Sequence, residues 1–151
     1  MTTGLKNVLS NLNKEIRKIE GDVHKGMIKV ASHIKAESVE RTPIDEGGLR
    51  GSAFGQTERL ETGSVARVGY AKKYAPWVHE MPMTLKGQPR AHFGITGNQS
   101  AFGPQQRVAF GGGSGKGVYW QDGENKFLQK AVSENHGFIL KLIRDSAVIK
   151  K

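Results

Sequence analysis

Three groups of residues have types and spacing that invite chemistry. Gly111-Gly112-Gly113-Ser114-Gly115-Lys116-Gly117 has the glycine content of a phosphate-cradling loop. It fails the pattern twice: Phe110 stands where the first glycine is needed, and Gly117 where a metal-binding Ser or Thr should follow the lysine. His24, His33, His79, His92 and His136 are scattered, with no His-x-His or HExxH pair to hold a metal. His79-Glu80 is the one adjacent acid-base couple with a histidine. Neighbours on a helix or strand point apart, which favours a hydrogen-bonded packing histidine over a catalytic dyad. Asp45-Glu46, followed by Gly47-Gly48, has the character of turn acids.

With no cysteine in the chain, thiolate nucleophiles, disulfide scaffolds and Cys-ligated metals are excluded. No nucleophile, base and oxyanion site come together, so the expectation is a protein without catalysis, metal or cofactor. The absence of disulfide chemistry suits a reducing cytosol. No apolar run reaches the roughly 18 residues of a membrane span, and Met1 to Asn13 lack the apolar centre of a signal peptide, so a soluble protein is expected.

The net charge of +9 makes nucleic acid a partner to consider. Its distribution argues for generic basicity instead. The excess is +3 over residues 1–41, 0 over 42–80, +3 over 81–123 and +3 over 124–151, with no dense block.

The elements that must position these residues follow from periodicity. Leu5, Val8, Leu9, Leu12, Ile16, Ile19, Val23, Met27, Val30, Ile34 and Ser38/Val39 recur in steps of three and four, the mark of one long amphipathic helix. Its length, roughly 50 Å at about 1.5 Å per residue, exceeds what a small domain needs, so its outer part is expected to project or to pack on a neighbour through Ile16 and Ile19. Gly21 and Gly26 each cost roughly 1 kcal/mol relative to Ala in a helix, so a bend or break is expected near them. Pro43 ends the helix. Leu49 to Arg59 and Ser64 to Tyr70 read as an antiparallel hairpin, with Ala66, Val68 and Tyr70 on one face and Arg67 on the other. Pro76 suits the first turn of a short helix over residues 74–80 that turns Tyr74 and Trp77 inward. A second amphipathic helix runs from an Asn125 cap through Phe127, Leu128, Ala131, Val132, Ile139, Leu140, Ile143 and Ala147 to about Val148.

Residues 81–123 differ in kind. They hold ten of the chain's twenty glycines, yet also Phe93, Phe102, Phe110, Tyr119 and Trp120. Flexible linkers are poor in aromatics, which points to a functional loop that docks on a partner, with Arg90, Phe93, Phe102, Arg107, Phe110 and Lys116 as its candidate contacts. Residues 105–110 and 117–120 are candidates for a strand pair. At 151 residues the chain is expected to form one domain with this loop inserted. The class is α+β: a long N-terminal helix and a C-terminal helix packed on a small antiparallel sheet.

Three segments, taken in order, carry a resemblance. They are Thr42-Pro43-Ile44-Asp45-Glu46-Gly47-Gly48-Leu49-Arg50-Gly51-Ser52 after the long helix, Val68-Gly69-Tyr70-Ala71-Lys72-Lys73-Tyr74-Ala75-Pro76-Trp77-Val78-His79-Glu80, and Phe127-Leu128-Gln129-Lys130-Ala131. Together they resemble the tail-completion proteins of long-tailed bacteriophages, also called neck, head-to-tail joining or minor capsid proteins. The resemblance covers most of the chain outside residues 81–123. It implies structural roles for Pro43 (helix end), Gly47 and Gly48 (turn), Leu49 (start of the first strand, inside the core), Tyr74 and Trp77 (sealing the sheet edge against the terminal helices) and Phe127. It further implies a virion protein without catalysis, assembled in the host cytoplasm and placed in the neck. Its partners there would be other copies of itself in a homo-hexameric ring, head connector or adaptor proteins, and tail terminator or tail tube proteins, with packaged DNA as a candidate contact. The alternative is a small basic nucleic-acid-binding protein that uses Arg90, Arg107 and Lys116 with stacking aromatics.

Overall fold

A computed structural model describes residues 2–44, 47–88 and 122–147. The class is α+β, with a long N-terminal helix and C-terminal helices packed on a two-stranded antiparallel sheet. Helix α1 spans Thr2–Arg41, strands β1 and β2 span Ala53–Leu60 and Gly63–Tyr70, helix α2 spans Ala75–Glu80, and helices α3 and α4 span Phe127–Glu134 and His136–Ala147. Single 3-10 turns occupy Arg50–Ser52 and Met83–Leu85. The described residues divide into two compact units: residues 2–37, 54–69 and 130–147 form one, and residues 38–44, 47–53, 70–88 and 122–129 the other. Neither is a continuous stretch of sequence, because α1, β1, β2 and α3 each contribute to both.

In the first unit, the apolar stripe of α1 divides along its length. Val30, Ala31 and Ile34 are buried, as are Ala131 of α3 and Ile139 of α4, whereas Leu5, Val8, Leu9, Leu12 and Ile16 stand exposed. No break occurs at Gly21 or Gly26, contrary to expectation. At Gly26 α4 comes close: a Cβ there would lie 2.7 Å from Ser146 Oγ and 2.8 Å from its Cβ. The small residue that weakens the helix locally is thus the one that lets α4 approach. The hairpin lies on the other flank, where Gly55 approaches the Ala31 carbonyl and His24 Nδ1 hydrogen-bonds Ser64 Oγ at 3.0 Å. Phe54 covers Gly69 across the hairpin, its ring 3.0 Å from where a Cβ would stand.

The expected single C-terminal helix is interrupted at Asn135. Asn135 Nδ2 donates to the Ala131 carbonyl at 3.0 Å, and its Oδ1 lies 3.1 Å from His33 Nε2. Phe138 sits against the same His33 ring, with centroids 4.6 Å apart. Asn-His-Gly is a run of poor helix formers, and here its polar side chain is used to tie the break to α1. Lys126, at φ 51°, stands directly before α3, and the Asn125 amide donates to Met83 Sδ at 3.3 Å.

The second unit is built around Leu49, Ala75 and Phe127, with Tyr70, Val78 and Leu128 packed against them. The Phe127 ring meets Tyr70 and His79 edge-on, with centroids 5.0 and 4.9 Å apart. Leu49 is buried as expected, but it does not begin the strand. Gly47 at φ +77° turns the chain, the Gly51 amide bonds the Gly47 carbonyl at 3.0 Å, and a 3-10 turn intervenes before β1 starts at Ala53.

Candidate functional site

Pro43 stops α1 at Arg41 as expected, and the carbonyls it strands are recovered by side chains and by the distant segment that precedes α3. Arg50 donates from Nε to the Thr42 carbonyl at 2.8 Å and from Nη2 to the Glu40 carbonyl at 2.9 Å. The Glu124 amide donates to the Arg41 carbonyl at 2.8 Å, and the Arg41 and Glu124 side chains pair at 3.6 Å. Gly123, at φ +96°, passes so close to Pro43 that only a glycine fits. The end of α1 at Pro43 is therefore held by Arg50, Gly123 and Glu124. No spacing rule pointed to those last three.

Beside this joint lie three hydroxyls that sequence reasoning did not single out. Ser38 and Thr42 are fully buried. Thr42 Oγ1 donates to the Ser38 carbonyl at 2.7 Å, so its oxygen is left to accept from Tyr70 Oη at 2.6 Å. Tyr70 then accepts from Ser38 Oγ at 2.7 Å, and every hydroxyl proton is used. A signal was present: Ser38 and Thr42 fall one and two helical turns beyond Ile34 on the buried stripe, where polar residues need a partner.

His79 and Glu80 do meet, contrary to the expectation for neighbours: Nδ1 lies 2.7 Å from Oε1. The contact forms at the last residues of α2, where the chain leaves the helix. The ring packs on Phe127 and the His79 carbonyl accepts from the Lys126 amide at 2.7 Å, a structural setting for the side chain. Among the described residues, no three His, Asp or Glu side chains could share a metal ion, and no helix is long and apolar enough to cross a membrane.

Tyr74 and Trp77 correct the sequence reading. Neither seals a sheet edge; Tyr74 is half-exposed and Trp77 is 75% exposed. A six-residue helix has one narrow face to bury, and Ala75, Val78 and His79 occupy it against the Phe127 cluster. Trp77 falls on the opposite side of α2, and Tyr74 reaches back so that its hydroxyl lies over Gly48. An exposed tryptophan on a short rigid turn has the form of an interface anchor. Trp77→Ala is accordingly expected to leave thermal unfolding of the free chain within about 0.5 kcal/mol of the parent. A large drop in melting temperature would return Trp77 to the core.

Of the other candidate contacts, Ile16 is exposed and Ile19 half-buried on α1. Arg90, Phe93, Phe102, Arg107, Phe110 and Lys116 lie outside the described residues, as do Asp45, Glu46 and the candidate strands 105–110 and 117–120. The flanks of that stretch are held together: Lys86 Nζ donates to the Gly123 carbonyl at 3.1 Å. Family models, curated proteins and solved structures gave no match to the chain.

Proposed function

We propose that the protein is a structural component of a bacteriophage neck, a tail-completion protein that joins the tail to the head connector as a ring of identical copies. One observation supports this most. The three segments that carry the resemblance are far apart in sequence, yet each contributes to one cluster: Leu49 from the first, Tyr70, Ala75 and Val78 from the second, Phe127 and Leu128 from the third. The exposed Trp77 supplies a surface for a neighbour in such a ring.

In this reading the partners are further copies of the chain, the head connector or adaptor above, and the tail terminator or tube below. Particles produced without the protein are expected to accumulate as full heads and finished tails that remain unattached, seen by negative-stain imaging of lysates. Adding the purified protein should restore joining. Normally joined particles in its absence would overturn the assignment.

A further inference from the structure

The bare half of α1 has a spacing with a symmetry of its own. Along one line of it the exposed Leu5, Val8, Leu12 and Ile16 and the half-buried Ile19 are separated by steps of three, four, four and three, the same from either end about Leu12, with the exposed Leu9 beside that line. Two copies laid antiparallel with their Leu12 residues opposed therefore match apolar with apolar at each level: Leu12 with Leu12, Val8 with Ile16, and Leu5 with Ile19. Leu9, about 60° from Leu12 around the helix, adds to the contact with Ile16 of the other copy. We propose that this face is a two-fold interface between two copies of the chain, formed by antiparallel pairing of residues 5–19.

The flanks agree with this occupant. In a two-fold antiparallel pair, like flanks meet. Lys6 and Glu20 lie on one flank, about 120° and 80° from Leu12, and in the pair they fall about 3 Å apart along the axis. Each pair thus gains two Lys6–Glu20 contacts of opposite charge. On the other flank Glu15 already pairs with Lys18 of its own helix at 3.9 Å, so no lone charge faces the seam.

Leu5, Val8, Leu9, Leu12 and Ile16 are 44–65% exposed, and half-exposed side chains of this size leave on the order of 100 Å² each. Five give at most roughly 500 Å² per copy and about 1,000 Å² over the pair, the lower limit of specific interfaces. The interface is that of free copies in solution and does not depend on the neck reading.

The test uses the full chain in sedimentation equilibrium from about 1 to 100 µM. A monomer–dimer equilibrium is expected for the parent. Leu12→Asp, which sets two carboxylates face to face at the two-fold, is expected to weaken it at least about 100-fold. Leu12 is exposed in the single chain, so the variant should keep the parent's circular dichroism. Lys6→Glu should weaken the dimer several-fold, and adding Glu20→Lys should restore it. The chain has no cysteine, so orientation can be read directly. Mixed Leu5→Cys and Ile19→Cys proteins should form the mixed disulfide in preference to either homodisulfide. A parent monomeric up to 100 µM, an association unmoved by Leu12→Asp, or preferred homodisulfides would each overturn the proposal. A neck assignment lost to joined particles would leave these measurements unaffected.

Discussion

Phe127→Ala is expected to lower the stability of the isolated chain by about 3–5 kcal/mol, the usual cost of removing a fully buried aromatic ring. Phe127 is 1% exposed and is the largest fully buried side chain among the described residues. Its ring is met edge-on by both Tyr70 and His79, and it packs in one cluster with Leu49 and Ala75. Truncation leaves these groups around a cavity. Two of them, Tyr70 and His79, are also fixed by hydrogen bonds to Ser38, Thr42 and Glu80, which limits how far the site can collapse. Since a domain of this size has roughly 5–15 kcal/mol in total, the loss is a large fraction of it, and the melting temperature should fall by about 10 °C or more. Phe127→Leu, which keeps most of the volume, should cost under about 1.5 kcal/mol. Equal, small effects of the two variants in urea unfolding would show that the cluster does not hold the second unit together.

Gly123→Ala is expected to cost about 3 kcal/mol, for two reasons that add. The residue has φ +96°, a conformation in which an L side chain is strained by about 1–2 kcal/mol. An added Cβ would also lie 2.6 Å from Pro43 Cα and N and 2.8 Å from the Thr42 carbonyl carbon. These are backbone atoms at the end of a helix and cannot swing aside, so overpacking adds about 1–3 kcal/mol. The strain would pass to the Glu124–Arg41 backbone hydrogen bond next to it. Gly47→Ala is the internal comparison. Its φ is +77°, but a Cβ there meets nothing within 4 Å, so it should cost only about 1 kcal/mol. If the two alanine variants unfold at the same urea concentration, the close approach of Gly123 to Pro43 contributes nothing.

Both variants touch the joint that the sequence shows only in part. Pro43 and Gly47 were legible because proline and turn glycine act through local rules, whereas the burial of Leu49 was implied by the resemblance alone. Gly123 was legible only as one glycine among ten in a glycine-rich stretch, and its partner lies eighty residues back in the chain. Arg50 reads as an ordinary charged residue until the two carbonyls it caps are seen.

Local chemistry determined the elements. Steps of three and four in the apolar residues, with Pro43 beyond them, determined α1 and its end, because helical geometry and the proline ring act within one or two turns. Alternation determined β2, and the fold class followed from the order of the elements. Tertiary structure decided what covers each apolar face. Periodicity says that a stripe runs from Leu5 to Val39, but only the positions of the hairpin and α4 decide that Val30 and Ile34 are buried while Leu5 to Ile16 are bare. It likewise decided that His79, with Ala75 and Val78, and not Trp77, occupies the inner face of α2, and that Gly26 leaves α1 intact. A glycine in a helix costs roughly 1 kcal/mol, and packing α4 onto that site offsets it. Propensity is a sum of small local terms, whereas burial depends on which distant surface arrives, and residues neighbouring in space are not neighbours in the chain.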